Sequence, residues 1–410
     1  MVTRVLTRSG PKVIGGIPAD AGLAFVATNS GRVSLTLHRT FNDAEAVWNN
    51  LPSTTHAQSF ACAKAWFDEV SEPKGREAAI IVGRSAKGKP LFVWPFEIVK
   101  RHGLRALQWV GQDMANYNMG VFDPGFARKA TAADIQSLLC EIATMVGDVS
   151  LACFRNQPIE WEGVPNPFAA LPHQQSPNCG YAVSLDQDFD TLYRNRFSGR
   201  TRNSLRRKER KLQDLGALEY GWAGNGAERD KMLEEFFTQK SAWFQKHGIS
   251  DPFADAGYRA FFHRIAELPE GTPGRLELGY LKAGNEVVAT FHGAEVAGRF
   301  HMLLSSIAPG ESERWSPGIL LMRDQIENLC ARGCLYYDLG SGHAQHKSEW
   351  SDVEIAMFDS FLALDEIGHV LTIPMAVMSR TKRKIKNSKA LWSLFQFVRR
   401  NLVRLTPGAA

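Results

Sequence analysis

Apolar and polar positions change period along this chain, and the changes mark its elements. From Leu276 onward, short alternating runs read as three strands, Leu276–Lys282, Glu286–Val296 and Phe300–Ile307. Ala283-Gly284-Asn285 and Ala297-Gly298-Arg299 stand between them as turn signals. At Ser316-Pro317-Gly318 the period lengthens. Ile319, Leu320, Ile326, Leu329 and Cys330 keep helical spacing, which predicts a helix from about Gly318 to Arg332. Pro317 suits its first position, and Gly333 suits a left-handed stop. A strand follows, ending in Tyr336-Tyr337-Asp338-Leu339-Gly340-Ser341-Gly342.

A similar order is predicted earlier in the chain. Strands are expected over Ala78–Val82, Leu91–Ile98, Ala106–Gly111 and Asn118–Phe122, then a helix over Ala132–Met145 and a strand over Val149–Phe154. Asn156–Gly180, rich in Pro, Asn and Gly, reads as a connector. Beyond it come helices near Phe189–Phe197 and 199–215, a strand Leu218–Trp222, and helices near 227–246 and 256–267. Glu354–Leu364 reads as a final strand or two. The expected organisation is a poorly ordered leader over 1–32, a first domain over 33–177, a second over 178–374 and a basic tail over 375–410. The expected fold class is α/β (α+β): two domains, each a mixed, mostly antiparallel sheet flanked by helices, plus an amphipathic C-terminal helix.

The composition, 44% hydrophobic and 22% charged over 410 residues, is that of a globular protein with material for two cores. Six cysteines lack the paired spacing of a metal knuckle, so reduced thiols, no metal and a cytoplasmic location are expected. No signal-peptide core follows Met1–Gly10, and no run of about 18 apolar residues occurs. The net charge of +5 is uneven. Residues 375–410 hold nine Lys or Arg and no Asp or Glu, so +5 minus +9 leaves −4 for the rest.

Three segments carry candidate chemistry. The first is the helix start. The leading N–H groups of a helix have no internal partner and sit at the positive end of its dipole. Ser316, Pro317, Gly318, Ile319 and Leu320 are therefore expected to hold a pyrophosphate, with Gly318 allowing close backbone approach. The preceding strand, through Met302, Leu303 and Leu304, would bind an extended cofactor arm as an added strand. The second segment is helix 199–215, with seven Lys or Arg against Glu209 and Asp214. Arg200, Arg202, Arg206 and Arg207 suit a phosphate or a nucleotide- or lipid-linked acceptor, or simply a solvated face. No aromatic residues interleave them, which argues against nucleic acid. The third is a catalytic set. His301 and Asp338 are candidates for base, Tyr337 for proton donor and Lys347 for binding an anionic acceptor; each also has an ordinary structural reading.

Ser316-Pro317-Gly318, the helix after it, Tyr337-Asp338-Leu339-Gly340-Ser341-Gly342 and Lys347 with Trp350 resemble the bacterial CelD/BcsL acetyltransferases, GNAT-type proteins associated with cellulose biosynthesis. The Arg-rich run Arg200-Thr201-Arg202-Asn203-Ser204-Leu205-Arg206-Arg207-Lys208 resembles the opening of that family's acyltransferase domain. His346 departs from the pattern, which often has Tyr there. The resemblance implies two GNAT-like domains in tandem, as in Fem-type peptidoglycan aminoacyltransferases. It also implies acetyl-CoA or another acyl-CoA as donor, a small-molecule or glycan-linked acceptor, and a link to a polysaccharide synthase complex. Two rivals stay open: a Fem-type enzyme drawing on aminoacyl-tRNA, and a non-catalytic, membrane-associated scaffold.

The tail has its own pattern. Leu391, Leu394, Phe395, Val398, Leu402 and Leu405 fall on one side of a predicted helix over Lys389–Leu405, after the basic run Arg380–Lys386. Residues 380–405 are expected either to lie on an anionic membrane surface, at the inner face of the membrane, or to dock on the protein itself.

Overall fold

The computed structural model describes residues 22–388 apart from 30, 53 and 54, so most of the leader and the tail helix over 389–405 lie outside the described residues. In chain order the main elements are β1 (Leu23–Thr28), β2 (Gly31–His38), β3 (Glu77–Ser85), β4 (Pro90–Arg101), β5 (Leu104–Trp109), α1 (Ala132–Val146), β6 (Leu151–Pro158) and β7 (Gln174–Gln175). Next come β8 (Gly180–Ser184), α2 (Gly199–Gln213), β9 (Leu218–Trp222), α3 (Ala227–His247), α4 (Ala256–Ala266), β10 (Glu277–Ala283), β11 (Glu286–Val296) and β12 (Arg299–Ile307). The chain continues with α5 (Pro317–Ala331), β13 (Tyr336–Ser341), α6 (Gln345–Trp350), β14 (Val353–Ile355), β15 (Met357–Ala363) and α7 (Glu366–Asn387).

These elements form two compact units. Among the described residues, the first comprises 22–179 together with 356–387, and the second comprises 180–355. The expected boundary after residue 177 falls within two residues of the observed one. The C-terminal assignment needs correction. The segment Glu354–Leu364 is two strands belonging to different units, and the chain returns to the first unit at Ala356. Residues 375–387 are no separate tail. They continue α7, which runs through Pro374. Pro374 lies on the exposed face of that helix, where the missing backbone hydrogen bond is on the solvent side.

The first unit has a sheet in the order β1-β2-β3-β4-β5-β6-β15-β7, with Val121–Phe122 pairing β4 off that path. Its pairs are antiparallel except β5 with β6. Phe92, Trp94, Phe96, Trp109, Phe154 and Phe168 fill the core as one aromatic cluster. The leader reading fails from residue 22 onward, because β1 and β2 form a regular hairpin. Val26, Val33 and Leu35 are buried by it, a short alternating pattern masked in the sequence by the Gly- and Pro-rich residues before it. Helix α1 starts with a capping box between Thr131 and Asp134, and Asp134 also accepts from the Asn29 amide beyond β1, at 2.7 Å.

The second unit has the sheet order β9-β10-β11-β12-β13-β8-β14. Helix α3 packs on one face, with Gln239 donating to the Val287 carbonyl at 2.7 Å. Helix α5 packs on the other, where Gln325 donates to the Phe291 carbonyl at 2.7 Å. The three predicted strands and the predicted helix are present within one residue or so of their expected ends.

Gly368 tests the return of α7 to the first unit. A Cβ there would lie 1.9 Å from the Ser150 carbonyl oxygen, so the helix approaches the backbone before β6 at glycine distance. Gly368→Ala is expected to destabilise the first unit by about 2 kcal/mol, as overpacking against backbone does. Unchanged chemical denaturation would show that α7 does not dock this closely.

Candidate functional site

Strands β12 and β13 are parallel neighbours joined through α5. Their pairing is short: Arg299 with Tyr336, Phe300 with Tyr337 and His301 with Asp338. Past His301 the two strands part. The cause lies in β12, where the register against β11 shifts. His292 faces Leu304 and Gly293 faces Met302, so Leu303 is an extra residue, a bulge. Bulges bend and twist a strand and end its pairing on one side.

The register shows which backbone groups face the gap. The Ala308 amide donates to the Val288 carbonyl. Bonded and non-bonded pairs alternate in an antiparallel ladder, so Ser306 and Leu304 are turned to β11 while Ser305 and Ile307 are turned away. Met302, Leu303 and Leu304 are the residues expected along the cofactor arm. The outward backbone instead belongs to Ser305 and Ile307, because the bulge shifts the alternation. Lys240, on α3, marks this edge: its ammonium donates to the Ser305 carbonyl at 3.1 Å. Lys240 is half-buried beside Trp243, and burial lowers its pKa. No sequence signal distinguishes it from a surface lysine in mid-helix.

Helix α5 begins beside this gap. Ser316 is in the left-handed conformation, φ 57° and ψ 52°, and its carbonyl accepts from the Ile319 amide at 3.0 Å and the Leu320 amide at 3.3 Å. The first turn thus closes on itself, and Gly318 is the position without a backbone acceptor among the described residues. The reason for Gly318 also differs from the expected one. A Cβ there would meet Ile307 at 3.1 Å and Phe291 at 3.2 Å, so the glycine serves close packing of helix on sheet.

The Arg-rich helix comes to the same place. Lys208 of α2 donates to Ser316 Oγ at 2.8 Å. Glu209 takes both arms of Arg323 on α5, at 2.7 and 3.0 Å, and the Tyr220 hydroxyl at 2.8 Å. Burial pushes the Glu209 carboxyl up, but the Arg323 fork and the Tyr220 hydroxyl outweigh it and hold its pKa below the ordinary range. This clamp sets a cationic helix against the positive end of α5. Arg200, Arg206 and Arg207 are exposed and Arg202 is half-buried. Arg206 lines a recess of about 460 Å³ with Asn203, Glu209, Arg210 and Gln213. Lys208, next to the residues singled out from sequence, is the one that touches the helix start.

The four catalytic candidates do not form one cluster. Tyr337 is fully buried on the α5 side, stacked on Phe300 and donating to Gln325 Oε1 at 2.9 Å. Burial pushes its pKa above the usual phenol range. Asp338 points to the opposite face of the strand. It is buried, accepting from Arg299 at 3.2 Å and from the Gly340 amide at 2.7 Å. His301 is buried beside it in register. Lys347, at the end of the gap, is half-buried and donates to the Ser341 carbonyl at 2.9 Å. His292 lies in the core against Phe236, where burial lowers its pKa to about 3 and keeps it neutral. Among the described residues no group of three His, Cys, Asp or Glu is placed to hold a metal ion.

The first unit repeats the device. Strands β5 and β6 are parallel over two pairs only, Ala106 with Leu151 and Leu107 with Ala152, with α1 between them in sequence. Here the loop after β5 turns back into the space. Gln112 Oε1 accepts from the Arg155 amide at 2.9 Å, the Asn118 amide donates to Asn156 at 3.0 Å, and the Asn118 side chain donates to the Arg155 carbonyl at 3.1 Å. Gln112 and Asn118 are buried, so this edge is closed by packed protein.

Glu209→Gln is expected to destabilise the second unit by about 2 kcal/mol at neutral pH, since it removes a charge from a bidentate pair. Glu209 has a depressed folded-state pKa. Its contribution is therefore complete above the unfolded glutamate range and disappears as pH falls through the folded value. Melting curves of parent and variant should converge in acid; a pH-independent gap would remove the clamp as the cause.

Residues 199–348 match the family model described as acetyltransferase (GNAT) domain. No curated protein matches the chain. The fold is similar to the crystal structure of FemX, at 12% identity and TM-score 0.55, covering 83% of this chain and 98% of that one. It is also similar to L-PGS from Bacillus licheniformis, at 11% identity and TM-score 0.51, covering 83% and 97%. A conserved protein of unknown function from Bacteroides thetaiotaomicron VPI-5482 is similar at 13% identity and TM-score 0.50, covering 80% and 99%. The chain is built of two GNAT-like α/β bodies, and the GNAT acetyltransferase domain match lies in the second.

Proposed function

We propose that the second unit is an acyl-CoA-dependent acyltransferase that moves an acyl group, acetyl by resemblance, onto an amine or hydroxyl of a saccharide- or amine-bearing acceptor. The observation that carries this reading is the convergence of three features: the outward edge of β12, the start of α5 and Lys208. The pantetheine arm is an extended chain with amides, and it pairs with Ser305 and Ile307 as an added strand. The pyrophosphate sits at the start of α5, where the helix dipole and Lys208 both favour negative charge. The exposed arginines of α2 add a cationic approach.

In the transfer, the acceptor nitrogen or oxygen bonds to the thioester carbonyl carbon and gives up a proton, the C–S bond breaks, and the sulfur leaves and takes up one proton, so that the two proton steps balance. Negative charge builds on the carbonyl oxygen as this happens. Lys240, already holding the Ser305 carbonyl, is the cation at that edge, and Lys347 is kept for an anionic acceptor. The motif resemblance to the CelD/BcsL acetyltransferases supports a saccharide acceptor and work beside a polysaccharide synthase. A second reading keeps the fold and takes the acyl group from aminoacyl-tRNA; the likeness in fold to FemX favours it.

Titration calorimetry with coenzyme A and acetyl-CoA tests the first reading. One equivalent should bind per chain, because the matching gap in the first unit is filled by its own loop. Lys208→Ala should weaken binding about fivefold to tenfold, the size of one charge-assisted contact. Failure of any acyl-CoA to bind, together with binding of charged tRNA, would establish the second reading in its place.

A further inference from the structure

Helix α7 has two apolar faces, and the first unit uses one. Leu371, Met375 and Ala376 pack with Val99, Ala106, Leu151, Cys153 and Phe361. Ser379, on the same side, donates to Asp359 at 2.8 Å. The second face carries Ile367, Val370, Ile373, Val377 and Met378, each between 53% and 72% exposed. Their spacing of three and four residues, with Met378 beside Val377, aligns them along one stripe of roughly 17 Å. Single exposed apolar side chains are ordinary, whereas five in a row mark a surface that meets something apolar.

The charges beside the stripe indicate what that is. Arg380, exposed, and Arg383, half-buried, bond to Gln174 at 2.9 Å and Gln175 at 3.2 Å, and Lys386 bonds Asn178. Lys382 and Lys384 are exposed just beyond the C-terminal end of the stripe, with no acid partner among the described residues. The acidic residue of α7, Glu366, is at the far end of the helix. A second copy packed antiparallel, stripe against stripe, would offer the basic end of the helix one helix-borne acid, Glu366, against Arg380, Lys382, Arg383, Lys384 and Lys386. An anionic bilayer offers apolar chains to the stripe and negative headgroups to the lysines. No described helix is long and apolar enough to cross a membrane, so the contact is one of lying on the surface.

We propose that α7 is a membrane-contact helix whose Ile367–Met378 stripe enters the boundary between headgroups and acyl chains of an anionic bilayer, with Lys382 and Lys384 on the headgroups. The contact belongs to the first unit and is independent of the acyl-transfer reading.

Co-flotation of the full chain tests it, using vesicles of phosphatidylglycerol with phosphatidylcholine and vesicles of phosphatidylcholine alone. Binding is expected to the anionic vesicles and to fall at high salt. The double variant Val370→Glu, Val377→Glu should lose at least tenfold in vesicle affinity. Lys382→Gln and Lys384→Gln should each lose about fivefold, the effect of one basic residue near such a surface. All four side chains are exposed, so melting temperatures should stay at the parent value; if the glutamate pair fails to fold, the two lysine variants decide. Equal flotation of parent and variants overturns the proposal. So does a dimer in light scattering that Val370→Glu, Val377→Glu splits without any vesicle binding. Loss of binding on removing 389–410, with the stripe variants unaffected, would also overturn it and move the contact to the tail.

Discussion

The second unit depends on the point where β12 and β13 last touch. Arg299 and Asp338 form an ion pair there, with both side chains almost wholly buried. Taking two charges out of water is costly, and losing one partner leaves the other stranded, at about 3–5 kcal/mol. The Gly340 amide and the stacking of the Arg299 guanidinium on Tyr336, 4.2 Å from the ring centre, complete the arrangement. A slip of one residue in this parallel pair would turn Asp338 to the face occupied by Tyr337 and strand both groups. The pair therefore holds the register at the base of the gap, and the bulge at Leu303 opens it just beyond. What makes the site is a strongly held contact followed at once by a bend.

Both units contain a parallel strand pair that parts after two or three residues, with a helix in the connection. They differ in what satisfies the backbone once the strands separate. In the first unit a packed loop with Gln112 and Asn118 supplies the partners. In the second, lysine side chains reach Ser305 and Ser341. A buried loop is displaced only by local unfolding, whereas a half-buried ammonium can move aside for a better partner. Similar backbone geometry thus gives a structural element in one unit and a candidate donor cleft in the other.

Helix α7 shows how one segment serves two ends. Its inner face extends the core of the first unit, and the bonds of Arg380 and Arg383 to Gln174 and Gln175 secure its C-terminal half. Its outer face is apolar without being core. Both faces follow from one helical period, and Pro374 sits within the outer one, where its missing backbone hydrogen bond faces solvent.

Sequence periodicity determined the strands and helices around each gap, their order strand–helix–strand, and the placing of basic residues along α2. These are local properties: 3.6- and 2-residue repeats, turn residues and caps act within a few positions of one another. The hairpin β1–β2 was illegible because its few alternating residues follow a leader of small residues, and α7 because it straddles the domain boundary expected after residue 374. What only the tertiary structure decided was non-local. It placed Lys208, and not Arg200, Arg202, Arg206 or Arg207, on Ser316; it turned Tyr337 and Asp338 to opposite faces and buried both; it brought Lys240 from mid-helix to the Ser305 carbonyl. It also returned residues 356–387 to the first unit. The reason is common to all four. A side chain's partner is set by register, by a one-residue bulge and by which helix crosses which strand, and none of these leaves a trace in the spacing of residues along the chain.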